Sequence, residues 1–372
     1  MRNHKEMRYL VTPAAVLWSV GVVVADQTRG AAKPRQAIGL DAAPGPRMAA
    51  RTKPLLVVMV VGETARAANW GLSGYSRQTT PELAQLPVIN FAQVTSCGTN
   101  TEVSVPCMFA PVGRRDYDEG AIRGSQSLLH VAARAGVAVH WRDNQSGCKG
   151  VCEGLPQDEV SALKAAAALC GDGRCLDEGL LIGLPDRLAA LAATAPGRPG
   201  TQLLVLHMLG NHGPSYFKRY PPAFERFTPA CRKDDLRLCS REEITNAYDN
   251  ALLYTDHVLA QLITQLQAAS AQVDTAMLYA SDHGESLGEN NLYLHGLPYA
   301  IAPDVQKRVP MVMWASPGLA QGPGALDTAC LKKRAALPAA HDHLFHTVLG
   351  LLDVRTQIYE PAFDLSQGCR AP

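Results

Sequence analysis

The sequence has almost no net charge: 35 Lys and Arg face 34 Asp and Glu, leaving +1 at neutral pH. No long basic stripe is present, so no nucleic acid partner is expected. The short basic run Lys332-Lys333-Arg334 reads as a solvated surface turn. Internal repeats and low-complexity tracts are lacking, which sets repeat architectures aside. Long apolar runs are nearly absent as well. Only residues 9–25 approach membrane-spanning length, and they are short and interrupted by Pro13. Arg2, Lys5 and Arg8 precede that stretch, and Val23-Val24-Ala25 before Asp26 is an acceptable cleavage site. For residues 1–26 a signal peptide, a short anchor and a helix lying along a membrane surface all stay open. Residues 27–53 are rich in Ala, Pro, Gly and Arg without periodicity and are expected to be a linker. Residues 54–372 are expected to form the folded catalytic domain.

The cysteines lack the C-x2-C turn of a structural zinc site. Ten are present, and most lie near another: Cys97 and Cys107, Cys148 and Cys152, Cys170 and Cys175, Cys231 and Cys239. Cys330 and Cys369 remain as a long-range pair. Zinc held by Cys148, Cys152, Cys170 and Cys175 would need tighter spacing, so disulfides are expected. Disulfides place the folded part in an oxidising compartment, outside the cytosol.

What the chain does have is an ample apolar fraction, 47%, arranged in short β-branched runs. Four of these end in potential ligands. The run at 55–61 ends at Gly62-Glu63-Thr64, and that at 203–206 at His207, followed by Gly210-Asn211-His212-Gly213. The run at 277–280 ends at Ser281-Asp282-His283-Gly284-Glu285, and that at 137–141 at Arg142-Asp143-Asn144. Runs without alternation read as strands buried on both faces of a parallel sheet. Ligands in such folds bind at the carboxyl ends of strands. The expectation is an α/β fold with one metal-assisted site gathered from distant segments. A strand at 309–314 and helices at 127–135, 245–267 and 341–352 complete the coarse reading.

Thr95-Ser96-Cys97-Gly98-Thr99-Asn100-Thr101-Glu102 leads into an expected helix at 102–109. A helix N-terminus offers free N–H groups to a phosphate, and a hydroxyl there can act as nucleophile. Thr99 with Glu102 also reads as a capping box, so Thr99 and Thr101 divide the two roles in an order the residues leave open. Adjacent Asp282 and His283 face one ion only on a turn, which Gly284 permits. With Glu63 and His212 they suggest a carboxylate–imidazole site suited to zinc or manganese. His295 is close enough in sequence to join. His207 reads as a core histidine, and His341, His343 and His346 as surface or capping residues.

The strings VVGETARAANWGLSGYSRQTTP, VTSCGTNTEVSVPCMF, WRDNQSGCKG, GNHGPSYFKRY, NAYDNALLYTD and SDHGESLGENNLYLHG together resemble the lipid A phosphoethanolamine transferases, which include the mobile colistin-resistance enzymes. The resemblance covers about residues 54–360 in order. It implies an alkaline-phosphatase/sulfatase-like fold, with a mostly parallel sheet flanked by helices on both faces. By motif position, Glu63, Asp282 and His283 match zinc ligands, and Thr101 matches both a ligand and the nucleophile that becomes modified. His212 and His295 match catalytic histidines near the phosphate or at a second zinc. Lys149, Glu285, Asn144 and Gln145 match substrate-side positions, with Gln145 where the family usually has Asn.

The resemblance further implies phosphatidylethanolamine as donor, lipid A or lipopolysaccharide as acceptor, and a monomer at the periplasmic face of the inner membrane. The family usually carries several membrane spans ahead of this domain, and the chain begins near where the last would end. That favours an interfacial helix for residues 1–26. Two rivals stand beside transfer. A sulfatase of the same fold would need a formylglycine motif, and Ser104-Val105-Pro106-Cys107-Met108 lacks its Ser-Arg; a soluble phosphodiesterase, with water in place of the acceptor, stays open. An inactive lipid-binding remnant is the other.

Overall fold

The computed structural model describes residues 34–171, 173–194, 200–321 and 324–371. The expectation for residues 1–26 lies outside the described residues. Eight strands form the central sheet. In chain order they are β1 (Leu55–Gly62), β2 (Ile89–Thr95), β3 (Ala138–Asp143), β4 (Gln157–Glu159), β5 (Thr201–His207), β6 (Asp274–Ser281), β7 (Arg308–Ala315) and β8 (Ala339–Ala340). Their spatial order is β8-β2-β7-β6-β1-β5-β3-β4. Strand β7 runs antiparallel to β2 and β6, and the other pairings are parallel.

Strand β1 lies inside the sheet with every residue buried. Because successive side chains point to opposite faces, Leu55, Val57, Met59 and Val61 enter one core and Leu56, Val58 and Val60 the other. The helices that cover these faces include α1 (Thr101–Met108), α2 (Leu128–Arg134), α3 (Leu184–Ala192), α4 (Arg241–Ala268) and α5 (Asp342–Leu352). Apolar residues of α1, α2 and α5 fill the first core, and those of α3 and α4 the second. This is the two-faced α/β layering expected of buried, non-alternating strands.

Helix α4 starts four residues before its apolar periodicity does. Ser240 accepts from Glu243 N–H while the Glu243 carboxylate accepts from Ser240 N–H, and this reciprocal cap nucleates the polar first turn. The linker expectation for 27–53 is corrected from residue 34 onward. Ala43–Pro44 pairs with Val354–Arg355 as a two-residue ladder, and Gln36 exchanges backbone bonds with Gly124 and Gln126. Asp353 accepts from Met48 N–H at 2.9 Å and from Arg47 Nε at 3.1 Å. Backbone pairing, which composition does not record, docks this segment. No helix among the described residues is long and apolar enough to cross a membrane.

All ten cysteines are paired: Cys97–Cys107, Cys148–Cys152, Cys170–Cys175, Cys231–Cys239 and Cys330–Cys369. These are the five pairs expected from the spacing.

Candidate active site and metal centre

Strands β1 and β6 lie side by side in register, Gly62 opposite Ser281, so Glu63 and Asp282 emerge together at the carboxyl edge of the sheet. Asp282 N–H donates to Gly62 O at 2.9 Å, extending that register by one residue. One Asp282 oxygen, Oδ1, accepts from Thr64 N–H at 3.2 Å and His283 N–H at 2.8 Å. Its other oxygen, Oδ2, is buried without a hydrogen-bond partner among the described residues. It sits 3.5 Å from His283 Nε2, which is 3.2 Å from Glu63 Oε1. His283 Nδ1 lies 2.9 Å from Gly284 O; donation there fixes the tautomer and leaves the Nε2 lone pair facing the carboxylates. Gly284 is required for that turn, since a Cβ would lie 2.0 Å from Val305 O.

Ligand atoms of Glu63, Asp282 and His283 all fall within 4.8 Å of one another, and all three residues are buried. Two buried carboxylates demand positive charge. Burial would raise the Glu63 carboxyl, but the hydrogen bond and charge of His283 outweigh it and hold Glu63 well below the usual carboxylate range. Burial and the Glu63 charge push Asp282 up. His283 is pushed up to about 10: burial opposes its charge, and Asp282 and Glu63 overcome burial. A proton on His283 and a divalent cation therefore answer the same electrostatic demand. The unpartnered Asp282 oxygen and the directed Nε2 fit the cation, in the mixed oxygen–nitrogen donor set that zinc accepts.

Thr101 opens α1. The N-cap is Asn100, whose Oδ1 accepts from Val103 N–H at 3.0 Å. The capping role expected for Thr99 is thus corrected: with the helix beginning at Thr101, Asn100 stands one residue nearer. Thr99 Oγ1 instead donates to Leu297 O at 2.6 Å, and Gly296 N–H donates to Thr99 O at 2.8 Å. Thr101 Oγ1 donates to Glu63 Oε2 at 3.0 Å and lies 3.4 Å from His283 Nε2. Ser104, one turn further, is fully buried and donates to Asp282 O. Cys107 is held in its disulfide.

The remaining candidates arrange themselves around this cluster. The rings of His295 and His283 are 4.3 Å apart, and those of His212 and His295 5.8 Å. His212 Nδ1 is buried with no hydrogen-bond partner among the described residues, and desolvation lowers the imidazole pKa. Glu285, matched to a substrate-side position, is completely buried behind His295. It accepts from Tyr216 Oη at 3.0 Å and faces His295 Nδ1 at 3.2 Å, so it orients a histidine and does not reach the cavity wall. Lys149 pairs with Glu102 Oε1 at 2.7 Å and Ser146 Oγ at 2.6 Å, over the first turn of α1. Asn144 donates to Asp177 Oδ1 at 2.7 Å and Cys175 O at 3.0 Å. Gln145 Nε2 donates to Glu63 Oε2 at 2.8 Å. Asn144, Gln145 and His212 line a cavity of about 370 Å³ that opens beside the cluster.

Two residues have larger structural roles than their sequence positions suggest. His207 is buried and pairs with Asp143 at 2.8 Å, and the other Asp143 oxygen accepts from the N–H groups of Gln145 and Gly147. His341, expected at the surface or as a cap, is buried. Its Nδ1 accepts from Cys97 N–H at 3.0 Å, and Nε2 faces Ser281 O at 2.9 Å. Burial lowers its pKa to about 4. A neutral His341 thus ties the loop before Thr101 to the end of β6.

Residues 56–354 match the sulfatase family model. The chain is 43% identical over 370 residues to phosphoethanolamine transferase EptA of Salmonella typhimurium, covering 99% of this chain and 66% of that one. It is 43% identical to phosphatidylethanolamine transferase Mcr-1 of Escherichia coli, over 95% of this chain and 64% of that one. It therefore spans about two thirds of the length of these relatives. The soluble domain of lipooligosaccharide phosphoethanolamine transferase A from Neisseria meningitidis superposes with a TM-score of 0.84 at 44% identity, covering 91% of this chain and 99% of that domain. With the strand-end cluster and the threonine at α1 both in place, the chain belongs to the sulfatase family, in its phosphoethanolamine transferase branch.

Proposed function

We propose that the protein transfers phosphoethanolamine from phosphatidylethanolamine to a phosphate of lipid A through a covalent Thr101 intermediate. The observation that carries this reading is the 3.0 Å contact between Thr101 Oγ1 and Glu63 Oε2, beside His283 and Asp282. Glu63, Asp282 and His283, with Thr101 within reach, would hold a zinc ion. When bound, zinc supplies Lewis acidity that favours the ionised threonine and neutralises developing phosphoryl charge.

The residues of the chain account for the rest. Thr101 Oγ1 forms a bond to phosphorus as the bond from phosphorus to the diacylglycerol oxygen breaks. His295 or His212 takes up the hydroxyl proton and passes it to the departing diacylglycerol oxygen, so the first half is proton-neutral. Asn100 caps α1 so that its first free N–H groups face the phosphoryl oxygens. In the second half a lipid A phosphate oxygen attacks the same phosphorus as the bond from phosphorus to Thr101 Oγ1 breaks, and the proton of the attacking phosphate hydroxyl passes through the same histidine to Thr101. The likeness to Mcr-1, a phosphatidylethanolamine transferase, and to the Neisseria lipooligosaccharide phosphoethanolamine transferase domain supports the donor and the acceptor class. The five disulfides support the periplasmic face of the inner membrane as its place of work.

Intact-mass measurement after exposure to phosphatidylethanolamine tests the reading. Wild type gains one phosphoethanolamine and Thr101→Ala gains none; equal gain in both would remove Thr101 from this role.

A further inference from the structure

A second cavity of about 550 Å³ lies next to the catalytic one, and Arg174 and Cys175 stand in the walls of both. It is framed by the Cys170–Cys175 hairpin, closed by its own disulfide, and by the turn from Gly213 to Arg219. Three cations line it, Arg174, Lys218 and Arg219, against one carboxylate, Asp234. Asp234 is already engaged, with Lys218 Nζ at 2.7 Å and Ser215 Oγ at 2.6 Å.

Arg219 is the informative member. It is 5% exposed, and its Nε donates to His212 O at 2.7 Å. Its Nη1 is buried with no hydrogen-bond partner among the described residues. Desolvation lowers the guanidinium to about 10, and the charge of Arg174 acts in the same direction. A buried guanidinium short of acceptors is costly, and the planar fork of arginine is shaped for an oxyanion. The wall has two positive charges in excess of its carboxylate, which matches a phosphate better than a neutral headgroup.

We infer that this second cavity is an oxyanion subsite, taking a phosphate group alongside the one that reacts at Thr101, with Arg219, Arg174 and Lys218 as its cations. The inference rests on the phosphoryl-transfer reading of the neighbouring site. The phosphate is either a second one on the acceptor or free inorganic phosphate, and two measurements distinguish these sources.

In the first, inorganic phosphate is titrated into the full chain and the side-chain Nε–H resonance of Arg219 is followed by NMR. A saturable shift is expected, weakened about tenfold in the Arg174→Ala, Lys218→Ala double variant. Arg219→Met, which lacks the reporting resonance and is read by calorimetry alongside wild type, should remove the same binding step, and the exposed positions of the double variant guard against a misfolded result. In the second, lipid A is the acceptor in steady-state transfer. An acceptor KM raised about tenfold in the double variant, with kcat changed much less, assigns the phosphate to the acceptor. Unchanged KM with lost phosphate binding assigns it to free phosphate. An Arg219 signal that does not move in wild type, or affinity equal in wild type and both variants, overturns the subsite. Failure of wild type to label Thr101 would strike the transfer reading alone, because phosphate binding at Arg219 is measured without turnover.

Discussion

Gln145 Nε2 and Thr101 Oγ1 donate to the same oxygen, Glu63 Oε2, at 2.8 and 3.0 Å. Glu63 Oε1 is thereby left to face His283 Nε2 at 3.2 Å. Thr64 Oγ1 donates to that second oxygen, so Gln145 and Thr64 together set the rotation of the carboxylate, and the Gln145 loop is anchored by Asp143. Replacing it with Leu should lower zinc affinity about tenfold, the usual scale for a residue that orients a ligand. Gln145→Asn, one methylene shorter, should fall between the two. Competition with a chromophoric chelator reads the affinity directly, and a Leu variant as tight as wild type would refute the orienting role.

The charge balance at Glu63, Asp282 and His283 gives cation binding a definite pH dependence. His283, raised to about 10, carries a proton at neutral pH that a cation must displace. Zinc affinity should therefore rise about tenfold per pH unit from pH 7 toward 9, one proton being released per ion. Below neutrality the slope should steepen, because Asp282, also raised, begins to hold a second proton. Calorimetry in buffers of different ionisation enthalpy counts those protons; a pH-independent affinity would exclude His283 as a ligand.

Much of this site was legible in the sequence, for a physical reason. A strand buried on both faces is written as an unbroken apolar run, so its end, and the ligand after it, is marked by composition alone. That is how Glu63, Asp282 and His283 could be placed together although 219 residues separate Glu63 from Asp282. His341 was not legible. Its neighbours suggest a helix start, and its partners, Cys97 N–H and Ser281 O, come from two other segments that no local pattern names. Asn100 was hidden by an abundance of competent caps, since Thr99, Asn100 and Thr101 can all fill that role and only the first helical residue decides. The docking of residues 34–53 escaped because it is made by backbone pairing and one aspartate.

His341 offers a stability test separate from catalysis. Its substitution by Ala leaves a buried N–H and a buried carbonyl without partners, which should cost ~2–4 kcal/mol. Urea unfolding measures the loss. Because the wild-type ring stays neutral down to about pH 4 in the fold while an ordinary histidine protonates near 6.5, unfolded wild type alone takes up a proton as pH falls through 6.5, so the difference between the two proteins should be full at pH 8 and shrink toward pH 5.

His295 is held by Glu285, and Glu285 by Tyr216. Tyr216→Phe removes one donor from a fully buried carboxylate. The expected outcome is a several-fold lower transfer rate, with zinc affinity and the yield of modified Thr101 at long times preserved. A loss of zinc affinity in this variant would place Glu285 at the metal.

Asp353 ends α5 and grips Arg47 and Met48, while His341 at the other end of that helix grips the loops of Thr101 and Asp282. One rod of eleven residues therefore joins the incoming chain to the reacting centre. The docked segment and the loop before Thr101 are thus fastened to opposite ends of a single helix, whose length sets the distance between them.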